Sequence, residues 1–239
     1  IKLPFLLFGF GAVIFAYRIG ERHFSRQAGL MNALFFSLSL VFVFYAPIAR
    51  MYISGVFFSL ALLYYFFEIF FAGRVVALNF FWLGFFALLS ALNQHINALF
   101  AFTVFMAALF FLTPQNRKSF YITAVVTVLC YLPHLPVTLY QLGVGGIGTE
   151  QGGWLEKPDL NSLWELIRVL LGSGYNYLFV FALILLGLVF QKNRIINRKQ
   201  MLLLALFIFN FLVVYLYSLL RASVYQHSVM LFAGSAFIL

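Results

Sequence analysis

The chain has 239 residues, of which 64% are hydrophobic and 9% charged, with a mean hydropathy of +1.02. Soluble domains carry about 25% charged residues, so this composition excludes an ordinary water-solvated globule and points to a chain bathed in lipid. The formal charge of +9 is not a nucleic-acid signal, because most of the basic residues gather in short turns between apolar runs.

In chain order the apolar runs cover residues 3–17, 28–46, 53–72, 77–92, 97–112, 120–140, 176–190, 201–219 and 229–239. They predict nine spans, the last cut short. The runs are continuous, as membrane helices require, whereas a barrel would show alternating strands of about ten residues. The expected fold is therefore all-α: one polytopic transmembrane helix bundle over residues 1–239. Run 77–92 is short for a span. Cys130 lies inside a run, has no intrachain partner, and reads as a small packing residue. The chain begins at Ile1 and stops inside an apolar run, which reads as a fragment of a longer protein.

Basic residues fix an orientation for these runs. Alternate gaps hold Arg18, Arg22, Arg26, Arg74, Arg117, Lys118, Lys192, Arg194, Arg198 and Lys199, ten of the 15. The remaining gaps hold Lys2, Arg50, Lys157, Arg168 and Arg221. The positive-inside rule makes the first set cytoplasmic and the second set external. Anionic headgroups are an adequate partner for the cytoplasmic set.

One connection is long, residues 142–175, and it is external. It opens as GVGGIGTEQGGW, too rich in glycine for a stable helix. It continues as PDLNSLWELIRVLLG, an amphipathic helix capped by Asp159 or Asn161, with Trp164, Ile167, Leu170 and Leu171 on one face. Such a helix lies on the outer membrane surface. The segment reads either as a lid beside that helix or as a passive connection.

Polar chemistry gathers on the external side. Arg50 follows Pro47 almost without a loop, and a cation held there calls for an anion such as phosphate, or for snorkelling to headgroups. His95 stands in the turn Asn93-Gln94-His95-Ile96-Asn97, as a ligand or an interfacial residue. His134 lies between Pro133 and Pro136, which should kink or end its helix. His95, His134 and His227 are candidate ligands for a divalent metal, without motif spacing. Arg221 and His227 bracket a polar patch in which a second cation would help hold a phosphate leaving group. Glu150 and Glu156 are candidates for acid–base work or simply solvated carboxylates. Glu68 is placed near a cytoplasmic end, and Asn210 is a polar residue in mid-span. A cytosolic nucleotide site is not expected, because no phosphate-binding glycine loop is present.

The stretch over residues 3–66 resembles the bacterial branch of the protein-mannosyltransferase-like membrane glycosyltransferases of the GT-C class. The family's motifs R-x-P-S-L-L-F-G, G-R-R-L-F-G-R-R-A-G and S-Q-E-A-R-M-Y are similar to residues 2–9, 20–29 and 45–52 here. Its T-H-Y turn is similar to Gln94-His95-Ile96, and its L-P-W-L-P motif with a following Gly and Trp is similar to residues 132–136 and 152–154. The family's Gln-Glu is replaced by Pro47-Ile48, and its late Arg by His227. The resemblance implies transfer of a sugar from a polyprenyl-phosphate carrier to a lipid, glycan or protein acceptor at the outer face of the bacterial inner membrane. It places Arg50 near the lipid phosphate and His95 in the matching short turn. With Tyr52, Arg221 and His227, these form the candidate substrate-binding set. The family's catalytic carboxylate lies upstream of its first motif, so the base is expected ahead of Ile1. Other readings are a polysaccharide polymerase or ligase, a flippase of lipid-linked glycans, and a non-catalytic membrane subunit.

Overall fold

The computed structural model describes residues 2–144, 155–172 and 197–239. Among them the regular structure is helical and no strand occurs. The helices are α1 (Leu3–His23), α2 (Arg26–Leu38), α3 (Leu40–Tyr45), α4 (Met51–Phe70), α5 (Ala77–Asn93), α6 (His95–Ala108), α7 (Pro114–Tyr131), α8 (Leu135–Val144), α9 (Ser162–Leu171), α10 (Arg198–Leu220) and α11 (Leu231–Ile238).

Short polar signals place the turns. Ser25 caps α2 by accepting from the Ala28 amide at 3.0 Å. Thr113 with Asn116, and Asn197 with Gln200, form reciprocal capping boxes at the starts of α7 and α10. Gly73 sits at φ +67 after α4, a left-handed conformation that suits glycine.

Four helical stretches are long and apolar enough to cross a membrane: Leu3–His23, Met51–Phe70, Pro114–Gln141 and Arg198–Leu220. The other expected spans differ from the sequence reading. Run 28–46 is interrupted at Ser39, giving helices of 13 and 6 residues, with the Phe36 and Phe42 rings stacked across the break at 4.6 Å. Helices Ala77–Asn93 and His95–Phe111 are apolar but shorter than a full span. The last run forms the eight-residue α11. Run 176–190 lies outside the described residues. The prolines beside His134 interrupt the regular α-helix after Tyr131. They introduce one 3-10 turn, Leu132–His134, after which α8 continues.

Helix α4 is the centre of the bundle. Its membrane-length window is 83% buried, against none for Pro114–Gln141 on the periphery. The outer face of α7 exposes Tyr121, Ile122, Val125, Val126 and Leu129, which suits contact with lipid. Cys130 is exposed there too, so it is not the buried packing residue that the sequence suggests.

Small residues let the helices approach, as is usual where lipid removes the hydrophobic drive between them. A Cβ on Gly20 would lie 2.6 Å from the Gly29 Cα, so α1 and α2 cross backbone to backbone. A Cβ on Gly55 would lie 2.3 Å from the Phe232 ring, which seats α11 against α4. Side-chain hydrogen bonds add specificity. Ser59 donates to Asn97 at 2.8 Å, joining α4 to α6, and Asn210 donates to Thr103 at 2.9 Å, joining α10 to α6.

Gly20→Ala should destabilise the bundle by about 1–3 kcal/mol, because the obstacle is backbone that cannot rotate away. Gly9→Ala is the control: its Cβ would meet Ala46 at an ordinary 3.4 Å. Thermal unfolding in detergent should separate the two variants, and equal midpoints would contradict the backbone crossing.

Candidate functional site

Polar side chains concentrate at opposite ends of the bundle. Turns following α1 and α4 and the start of α10 meet at one end. The first residues of α4 and α6, the last of α5, and the segment 221–230 meet at the other.

The first end is organised by Glu68, whose side chain is 4% exposed in the last turn of α4. Arg22 Nε lies 2.9 Å from Glu68 Oε1, and His23 Nε2 lies 3.2 Å from the same oxygen. Arg74 donates to Oε2 at 3.2 Å. Arg22 also donates to the Tyr64 hydroxyl at 3.2 Å. Lys199 reaches in from α10 to donate to the His23 carbonyl at 2.8 Å, and lies over the Phe24 and Phe71 rings. Burial of a carboxylate is costly unless it is paired, and here three side chains from two parts of the chain, Arg22 and His23 at the end of α1 and Arg74 in the turn after α4, surround it.

The second end holds the residues singled out as candidate ligands. Arg50 occupies the N-cap position of α4 with its side chain exposed. Its guanidinium has no ion-pair or hydrogen-bond partner among the described residues. Tyr52 is buried with its ring 4.7 Å from that of Tyr45, so its role there is packing. One turn further, Ser54 donates to Asn93 Oδ1 at 2.8 Å, while Asn93 Nδ2 donates to the Met51 carbonyl at 2.9 Å. These bonds fix the head of α4 against the end of α5.

Gln94 caps α6 by accepting from the Ile96 amide at 2.8 Å and the Asn97 amide at 3.2 Å. This capping turns His95 toward α8, where its Nε2 hydrogen-bonds to Gln141 Oε1. Its Nδ1 is buried without a partner among the described residues. His134 instead packs its ring 5.6 Å from Tyr131. His95, His134 and His227 do not come together as a metal site. Among the described residues no group of three or more His, Cys, Asp or Glu is arranged to hold a metal ion.

Helix α9 docks on this end. Asp159 orders its first turn by accepting from the Asn161 amide at 3.0 Å and from Ser162 Oγ at 3.1 Å, whereas Asn161 makes no side-chain cap. Of the expected apolar face, Leu170 and Leu171 are buried and Trp164 is not. The buried side is Ser162, Leu166, Leu170 and Leu171, and Leu170 fits against Gly234 of α11. Trp164 remains 44% exposed. The residues of α9 that follow the i, i+4 row from Ser162 meet the bundle; those beside Trp164 turn away. The glycine-rich stretch ahead of α9, with Glu150, lies outside the described residues, whereas Glu156 is exposed.

The segment after α10 completes the dock. Arg221 ends α10 with an exposed side chain and no ion-pair partner among the described residues. Tyr225 donates its hydroxyl to the Ser162 carbonyl at 2.7 Å. Its burial raises the hydroxyl pKa, and the Glu165 and Asp159 charges push the same way, so Tyr225 stays a neutral donor. His227 Nε2 lies 3.7 Å from Glu165 Oε2. Burial holds the His227 pKa below its ordinary value, and the Glu165 charge offsets only part of that shift.

Sequence reading named His227 but did not connect it and Tyr225 to Glu165 and Ser162, which stand about 60 residues earlier and are linked to them by no spacing. It also left Asn93 and Ser54 without a role, although the dense run Asn93–Asn97 was a usable signal. Comparison with family models, curated proteins and solved structures finds no match for this chain.

The His227 shift gives the docked state a pH dependence. The folded pKa is depressed, so the unfolded or undocked state binds more protons as pH falls below about 6.5, and the docked state loses stability there. The melting temperature should therefore drop between about pH 7.5 and pH 5. His227→Gln should remove part of that drop, and an identical pH profile in the variant would contradict the assignment.

Proposed function

We propose that this chain is part of a polytopic glycosyltransferase of the bacterial inner membrane, with nine spans and its working face outside. It moves a sugar from a polyprenyl-phosphate carrier to a lipid, glycan or protein acceptor. One observation carries the reading. Arg50 is an exposed cation at the head of the most buried helix, and it lacks an anionic partner among the described residues, whereas Arg22 and Arg74 at the other end share Glu68. The counter-charge for Arg50 then comes from a ligand, and at a membrane surface the available anion is a phosphate ester.

The chemistry follows from that placement. As the bond between the sugar's anomeric carbon and the phosphate oxygen breaks, negative charge grows on the phosphate. A guanidinium already held at that point stabilises the transition state more than the ground state. Arg221 is a second exposed cation at the same end. His95, fixed by Gln141, and Asn93, fixed by Ser54 and the Met51 carbonyl, hold the framework beside these cations. The acceptor oxygen needs a carboxylate to take its proton. The resemblance to the GT-C transferases favours transfer over flipping, and the mid-span Asn210 is engaged with Thr103 and the Leu206 carbonyl.

Arg50→Ala should lower transfer from a polyprenyl-phosphate sugar by about 100-fold, the range seen when a donor to a developing anion is removed. Arg50→Lys should retain part of the activity, since it keeps the charge but loses the planar fork. Transfer assays in membranes with matched protein levels make the comparison. Unchanged transfer by Arg50→Ala would overturn the phosphate role.

A further inference from the structure

We propose that the end of the bundle built on Glu68 is a binding site for a phosphate group at the membrane surface, that of an anionic phospholipid headgroup. This inference does not depend on the glycosyltransferase reading.

The cations around Glu68 exceed what one carboxylate neutralises. Arg22 and Arg74 both pair with Glu68, and Lys199 joins them through the His23 carbonyl. Three positive charges therefore face one negative charge. The pairing also orients the donors. Arg22 uses Nε on Glu68 and one terminal nitrogen on Tyr64, while Arg74 uses one terminal nitrogen on Glu68. The second terminal nitrogen of each guanidinium has no protein partner among the described residues. Both side chains keep a route to the outside, at 36% and 55% exposure. Two anchored guanidinium groups with spare N–H donors suit the bidentate geometry of phosphate. Lys199, held over two aromatic rings, adds a compact charge beside them.

This differs from the diffuse attraction of any basic turn to an anionic surface. Arg117 and Lys118, at the start of α7, are exposed basic residues of the same kind of turn. They have no such anchoring carboxylate among the described residues. They therefore serve as an internal control for charge alone.

The test is lipid retention. The protein is purified in detergent with phosphatidylglycerol and phosphatidylcholine in equal amounts, and bound lipid is counted by native mass spectrometry. The expected result is selective retention of phosphatidylglycerol, reduced about tenfold in Arg74→Gln/Lys199→Gln, with Arg117→Gln/Lys118→Gln close to the unmodified protein. Circular dichroism and gel filtration identify any variant that fails to fold. For that case Arg74→Lys, which keeps the charge, should still weaken retention. Equal loss in the two double variants, or no preference for phosphatidylglycerol, would overturn the site. A second arm adds inorganic phosphate at millimolar concentration to lipid-free protein. A rise in melting temperature that Arg74→Gln/Lys199→Gln abolishes would assign the site to soluble phosphate and overturn the headgroup assignment.

Discussion

A single buried carboxylate in the last turn of α4 anchors one end of this bundle. Glu68 is buried there between Arg22 from the end of α1 and Arg74 from the turn before α5, and a carboxylate buried without such partners is costly. Lys199 adds α10 through the backbone of His23. Three separate connections are thereby drawn to one point, and the helices that follow them inherit their directions. The glycine crossing of α1 and α2 and the seating of α11 on Gly55 then complete the packing from that fixed end.

The opposite end is built on a different electrostatic plan. Its bonds between helices run between neutral groups: Ser54 with Asn93, Asn93 with the Met51 carbonyl, and Tyr225 with the Ser162 carbonyl. They hold the framework without consuming the cations. Arg50 and Arg221 are left exposed, and His227 meets only the partly exposed Glu165 at 3.7 Å. A framework locked by neutral bonds and carrying open cations is suited to an anionic ligand. A framework locked by charge is suited to a stable hub with some charge to spare. The same residue type, arginine, serves both purposes according to the carboxylate beside it.

Much of the helical layout was legible in the sequence, because apolar runs and capping residues are local. The starts of α7 and α10 follow from Thr113 and Asn197 with little tertiary help. The break at Ser39 was not legible, since neither glycine nor proline marks it. Charge counting explained Arg22, Arg74 and Lys199 as orientation signals, yet it could not show that they share Glu68. Their partnership spans 46 positions from Arg22 to Glu68 and 176 from His23 to Lys199, and only the fold closes those distances. The face of α9 was legible only in part, for a related reason. Trp164 and Leu170 both looked apolar, and the position of Gly234 decides which of them is buried. At the candidate site, Arg50, His95, Arg221 and His227 could be named from their external gaps, whereas the buried packing role of Tyr52 and the Glu165 contact could not.

The central claim is that the Glu68 end and the Arg50 end lie on opposite sides of the membrane, with the Arg50 end outside. Single-cysteine labelling with a membrane-impermeant maleimide tests it most directly, in the full chain with Cys130 replaced by alanine. Gly73→Cys reports the turn beside Arg74, and Asn161→Cys reports the start of α9; both positions are exposed. The account predicts that intact cells label only Asn161→Cys and that inside-out vesicles label only Gly73→Cys. Labelling of both positions from the same side would contradict it.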